Sequence, residues 1–140
     1  MKKFYYIAVL FTLTLFSCDI GDGDQQFQFE VMPITSVQVP DEFQLGGTYE
    51  ISVTYNRPND CYEFNDFLYS VNGAERSVAV VNTVYETSNT GCGGSPESET
   101  VSFDFTVTSI ETHIFKFFQG TDNAGIDQYH IVEIPVVEGD

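Results

Sequence analysis

Two histidines, three cysteines and 21 carboxylates are the side chains of this 140-residue sequence that could do chemistry. An imidazole acts as a general base or a metal ligand when a nucleophile or a second ligand stands within reach. Here His113 and His130 both fall inside strand-like runs, not in loops beside a candidate nucleophile. The sequence contains no Gly-x-Ser-x-Gly elbow, phosphate-binding loop, His-Glu-x-x-His or dinucleotide fingerprint. So many carboxylates offer countless pairs, and choosing two as a glycosidase acid and base would be arbitrary. The most suggestive polar segment is Asp122-Asn123-Ala124-Gly125-Ile126-Asp127, since oxygen-rich turns can hold Ca²⁺. Its spacing is not that of an EF-hand, and an Asx-rich turn accounts for it. The expectation is a non-enzymatic chain with no catalytic residues, no metal and no cofactor.

The elements around these residues begin with an export leader. Met1-Lys2-Lys3 is a short positive start, Phe4 to Phe16 is uncharged and largely apolar, and Leu15-Phe16-Ser17-Cys18 closes the run before the chain turns acidic. Thirteen residues of helix cover about 20 Å, short of the roughly 30 Å hydrocarbon core of a bilayer. Leu15, Ser17 and Cys18 resemble the lipobox of bacterial lipoproteins, with Phe16 bulkier than the usual occupant. The resemblance implies a signal peptide over residues 1–17, cleaved ahead of Cys18, and acyl chains on that thiol. Each buried CH₂ contributes about 0.8 kcal/mol, so several chains hold a protein to the membrane without spanning it. Residues 18–26 then read as an acidic, flexible tether, with a reach of about 16 Å. The run of acidic residues after Cys18 is similar to the surface-export tags of Bacteroidota lipoproteins, and equally to an ordinary linker in an acidic protein. The implied address is the outer membrane, at its periplasmic or cell-surface face.

Beyond residue 17 the chain carries three basic against 21 acidic residues, a formal charge of −18. Such a surface repels nucleic-acid phosphates and anionic membranes and keeps an exported domain soluble. About 110 residues remain for the fold, enough for one two-layer core. Val, Ile, Thr, Tyr and Phe are prominent and Trp is absent, which favours strands.

Tyr49, Ile51, Val53 and Tyr55 alternate with Thr48, Glu50, Ser52 and Thr54, and Val101, Phe103, Phe105 and Val107 alternate with polar residues in the same way. This is the period of half-buried strands. Tyr62 to Val71 and Glu75 to Glu86 form a hairpin through Asn72-Gly73. His113 to Gln119 and Gln128 to Val137 add two more runs. Phe27 to Val39 gives one or two strands, with Pro33 marking an edge or a crossover between sheets. About seven strands over residues 27–140 predict an all-β, immunoglobulin-like β-sandwich, with a Greek-key barrel as the alternative. The pattern resembles small Bacteroidota lipoproteins that carry such a domain. That resemblance implies a fold and an address but no activity.

With Cys18 acylated, Cys61 and Cys92 remain as an even pair in an oxidising setting, so a disulfide is expected. Pairing about Asn72-Gly73 sets Cys61 opposite about Val84, and the bridge would pin the loop Thr87 to Glu99 to the third strand. Two thiols without a nearby His or a second pair make a poor zinc set. An immunoglobulin-like topology would gather this loop, the Asn56 to Asp60 loop and the Asp122 to Asp127 turn at one end.

The functional expectation is a lipid-anchored binding or adhesion module, with the membrane and an unknown protein or glycan as partners. Two alternatives stand beside it. One is an exported inhibitor, since Val101 to Gln119 resembles the late strands of chagasin-like cysteine-protease inhibitors, although their Asn-Pro-Thr-Thr-Gly-Tyr loop is absent. The other is an accessory subunit of an envelope complex. Replacing the thiol tests the address: Cys18→Ala should abolish labelling by a palmitate analogue and release the folded domain from the membrane, and label persisting in the variant contradicts the lipobox reading.

Overall fold

The alternation at Tyr49 to Tyr55 fixes one sheet of the structure. The computed structural model describes residues 26–86 and 91–139, so the expected signal peptide, Cys18 and all of the tether except Gln26 lie outside the described residues. Ten strands follow in order: β1 Phe27–Met32, β2 Ile34–Gln38, β3 Phe43–Gln44, β4 Thr48–Arg57, β5 Tyr62–Asn72, β6 Glu75–Tyr85, β7 Glu97–Thr106, β8 His113–Thr121, β9 Asp127–Ile134 and β10 Val136–Val137. The excess over the expected seven has three sources. Pro33 divides the first run into β1 and β2, Pro135 divides the last into β9 and β10, and the two-residue β3 pairs with β10. Proline cannot donate to a ladder, so each break falls where the sheet ends or changes.

The chain is an all-β sandwich. A three-stranded sheet has the order β2-β4-β7, all antiparallel. The larger sheet is built around β6, which pairs with β5 along one edge. Its other edge is shared: β8 runs parallel beside Glu75 to Val78, and β1 runs antiparallel beside Val80 to Tyr85. β9 completes the sheet beyond β8. The parallel β6–β8 pair is a feature that the immunoglobulin-like expectation did not contain.

The β5–β6 hairpin departs from the expected register in two ways that nearly cancel. Asn72 pairs with Glu75, so the turn residues are Gly73 and Ala74, with Gly73 supplying the positive φ of 61° that such a turn needs at its first central position. The ladder then shifts by one residue at a bulge between Phe64 and Asp66. As a result Cys61 lies opposite Tyr85, whose N–H donates to the Cys61 carbonyl at 3.0 Å, and not opposite Val84.

Between the sheets, Ile51, Val53 and Tyr55 of β4 meet Val78 and Val80 of β6 and Phe115 and Phe117 of β8, all buried. Full burial of one such side chain contributes about 1.5–3 kcal/mol. Phe43, wholly buried, closes one end of the core, with its ring 4.9 Å from Tyr49 and 5.3 Å from Phe105. Tyr55 is buried as well, and its hydroxyl donates to Glu99 at 2.8 Å. Burial, reinforced by that carboxylate, pushes the Tyr55 phenol up to about 12.

His113 belongs to this core. It is 1 % exposed and stands edge-on to Phe105 at 5.2 Å and Phe43 at 5.7 Å. Burial, and secondarily the positive charge of Arg76, pull its pKa below the usual 6.5, with Glu111 acting more weakly in the opposite sense. The native state therefore holds a neutral imidazole. Its contribution is fully present above pH 6.5 and is lost as pH falls from there through the lower native value, because the unfolded chain takes up the proton first. Denaturant midpoints at pH 7.5 and 5.5 should show a loss, at most about 1.4 kcal/mol per pH unit for a single proton. In His113→Gln that pH-dependent loss should vanish, and a loss of equal size in the variant contradicts the assignment.

Candidate functional site

The expected site residues are only partly brought together. Cys61 and Cys92 are joined by a disulfide, with Cα atoms 5.5 Å apart at a sequence separation of 31. Closing such a loop removes unfolded-state entropy worth about 3.5 kcal/mol in the chain-entropy view. The Asn56 to Asp60 loop meets the Cys92 loop, where the Asp60 N–H donates to the Gly93 carbonyl at 2.9 Å. Gly94, at φ 80°, lies so close that an added Cβ would collide with the Asp60 carboxylate. Because β7 begins at Glu97, this connection is shorter than the loop expected to run to Glu99.

The Asp122 to Asp127 turn does not join that cluster. β8 reaches along only the first half of β6, and β1 stands between the turn and the disulfide. Within the turn, one Asp122 oxygen accepts the N–H groups of Ala124 at 2.9 Å and Ile126 at 3.0 Å, and the other accepts Gln128 Nε2 at 3.1 Å. Its carboxylate is thus occupied in shaping the turn. Among the described residues no three His, Cys, Asp or Glu side chains are grouped to hold a metal ion. His113 sits in the core, whereas His130 is exposed on β9. Tyr62 and Tyr69 have phenols raised chiefly by burial, and for Tyr62 also by Glu30, which accepts its hydroxyl at 3.1 Å.

What distinguishes the molecule is the contrast between its two outward surfaces. The outward face of the three-stranded sheet is polar, with cross-strand hydroxyl pairs Thr48–Thr106 at 2.9 Å and Thr54–Thr100 at 2.8 Å. That is the ordinary wet side of an antiparallel sheet. The outward face of the larger sheet is apolar. Phe29 is 62 % exposed, Leu68 59 %, Ile131 57 % and Phe27 50 %, and Val31, Tyr85 and Tyr129 add to the same surface. An exposed apolar patch of this kind is a candidate interaction surface.

Side-chain size gives that face its relief. Ser77 and Ala79 on β6 form a low floor between Leu68 of β5 on one side and Phe118 and Tyr129 on the other, enclosing a hollow of about 300 Å³. Further along β6 a second hollow, of about 250 Å³, lies among Phe27, Phe29, Asn65, Thr83 and Tyr85. The two follow one another along the outward side of β6, with Val81 between them, and together give this face its trough-like relief. Register places Glu63 and Asp66 of β5 opposite Thr83 and Val81, on the half of β6 that β1 borders, and Asp127 and Glu133 at the two ends of the outward row of β9, beyond β8. Lys116, in the middle of the face, is held by Glu75 at 3.4 Å and by the Tyr129 ring at 4.7 Å from its centroid.

Sequence reasoning missed this surface, although two signals for it are present. Val78-Ala79-Val80-Val81 is a run of four apolar residues, as expected of a strand dry on both faces. Phe27, Phe29 and Val31 alternate with Gln28 and Glu30, yet the structure turns the apolar set outward and buries Met32. Compared with protein-family models, curated proteins and solved structures, the chain matches none of them.

Proposed function

We propose that this chain is a non-enzymatic binding module of the bacterial envelope, held at the outer membrane by acyl chains on Cys18, and that its contact surface is the outward face of the larger sheet. The observation that carries this reading is the apolar trough along β6, exposed at Phe29, Leu68 and Ile131 on a chain whose other outward sheet face is polar. A partner covering these side chains, each somewhat more than half exposed, would recover the corresponding part of the roughly 1.5–3 kcal/mol of full burial. Recognition by a pocketed apolar centre with a polar rim is the common anatomy of a protein interface. The anchoring part of the reading comes from the lipobox resemblance at Leu15 to Cys18, and the tether leads directly into β1, which lies on the trough. An immunoglobulin-like descent suits the role, because β2-β4-β7 has the adjacency of strands A, B and E in that fold.

Photo-crosslinking in the native envelope tests the assignment of the face. A benzoylphenylalanine at Leu68 should give a discrete adduct on irradiation, and the same group at Thr100 on the polar sheet should give none. Equal adducts from both positions, or none from Leu68 in correctly exported protein, contradict the proposal.

A further inference from the structure

Resting on that reading of the trough, we infer that its occupant is a basic amphipathic helix of another protein. An extended peptide adds to a sheet at its edge, where N–H and C=O groups are free, whereas the middle of a face offers it no backbone partner. A segment lying over β6 must satisfy its own backbone, and a helix does so. Leu68 of β5 and Phe118 of β8 stand on either side of β6, two strand spacings or about 9.5 Å apart, so a helix about 10–12 Å across with its side chains rests on these crests. The small residues Ser77 and Ala79 between them leave room for the side chains of one helix stripe.

Charge selects among helices. Carboxylates rim this face, Glu63 and Asp66 on β5 towards its β1 end, and Asp127 and Glu133 at the two ends of the outward row of β9. Of the described cations, Arg57 is engaged away from this face by Glu97 at 3.1 Å and Glu99 at 3.8 Å and Arg76 lies over the Phe105 ring at 5.9 Å, while Lys116 lies on the face with its charge met by Glu75 and the Tyr129 ring. A helix with an apolar stripe flanked by Lys or Arg matches an apolar floor rimmed by carboxylates. A second copy of this chain would bring the same acidic rim against itself, and an anionic bilayer would be repelled.

The test uses the full mature chain and three synthetic peptides of equal length, followed by fluorescence anisotropy. The first has a Leu stripe with Lys flanks, the second the same stripe with Glu flanks, and the third Lys flanks with Ser replacing Leu. The first should bind at least tenfold more tightly than either of the others, with the gap over the Glu peptide closing as salt rises. Ala79→Lys, which fills the floor with a like charge, should abolish binding of the first. The surface variant Glu63→Gln/Asp66→Asn/Asp127→Asn/Glu133→Gln should fold normally and bind the first two peptides alike. Equal binding of the Leu-Lys and Leu-Glu peptides by the native chain overturns the inference, as does equal binding of the Ser-Lys peptide or no binding of any. Sedimentation as a dimer that Ala79→Lys disperses would overturn it in favour of self-association. If Leu68 crosslinks in the envelope while the peptide preference fails, the face is right and the partner's chemistry wrong; if both fail, the binding reading falls with it.

Discussion

β6 is hydrogen-bonded along both edges to three other strands, and each of its faces is covered or flanked by apolar residues. β5 occupies one edge, and on the other β8 and β1 meet end to end, with Pro33 beside Gly120 at their junction. A central strand in this position cannot slip by one residue without exchanging its two faces. Val78, Val80 and Asn82 would then face outward, and Ala79 and Val81 would face the core. The disulfide reinforces the constraint where it matters, because Cys61 precedes β5 and faces Tyr85, the last residue of β6. From that point the chain leaves for the opposite sheet to form β7, before it returns as β8. A parallel β6–β8 pair needs such a crossover, and here another strand supplies it where a helix commonly would.

The same constraint explains the outward face. An antiparallel sandwich normally keeps one face of each sheet wet, and the β2-β4-β7 sheet does so with Thr, Ser and carboxylates. The larger sheet instead places small residues on β6 and large apolar ones on its neighbours, with carboxylates on the outer strands. Internal packing gains little from Leu68, which is largely exposed, and from Phe29 chiefly an edge-on contact with Phe27 at 5.6 Å. Four of the 21 carboxylates, Glu63, Asp66, Asp127 and Glu133, stand around this apolar surface.

Much of the fold was legible wherever one face of a strand was wet. Tyr49 to Tyr55 and Val101 to Val107 alternate and pair as their pattern requires, Ile51 opposite Phe103 and Val53 opposite Val101. Pro33 marks the crossover between sheets, and Cys61 and Cys92 are bonded. Legibility ended where local pattern and tertiary environment part. The hairpin turn lies one residue later than Asn72-Gly73, and the bulge near Asn65 compensates for it, because register responds to the whole ladder and not to the turn alone. β3 was invisible, since two residues carry no period, yet Phe43 within it seals the core. The trough escaped because Phe27, Phe29 and Val31 have the alternation of a buried face, and only the register of β1 against β6 shows which way they point.

A binding role for this chain requires that the folded chain by itself present an open apolar face along β6. Emission of the uncharged dye Nile red in the presence of the native mature chain tests it, with near- and far-ultraviolet circular dichroism recorded on the same samples. The account predicts a blue-shifted, enhanced emission in native chain, lost in Leu68→Lys and Ala79→Lys and retained in Thr100→Lys on the polar sheet. A folded chain that leaves the dye emission unchanged, or an equal loss in Thr100→Lys, would contradict it.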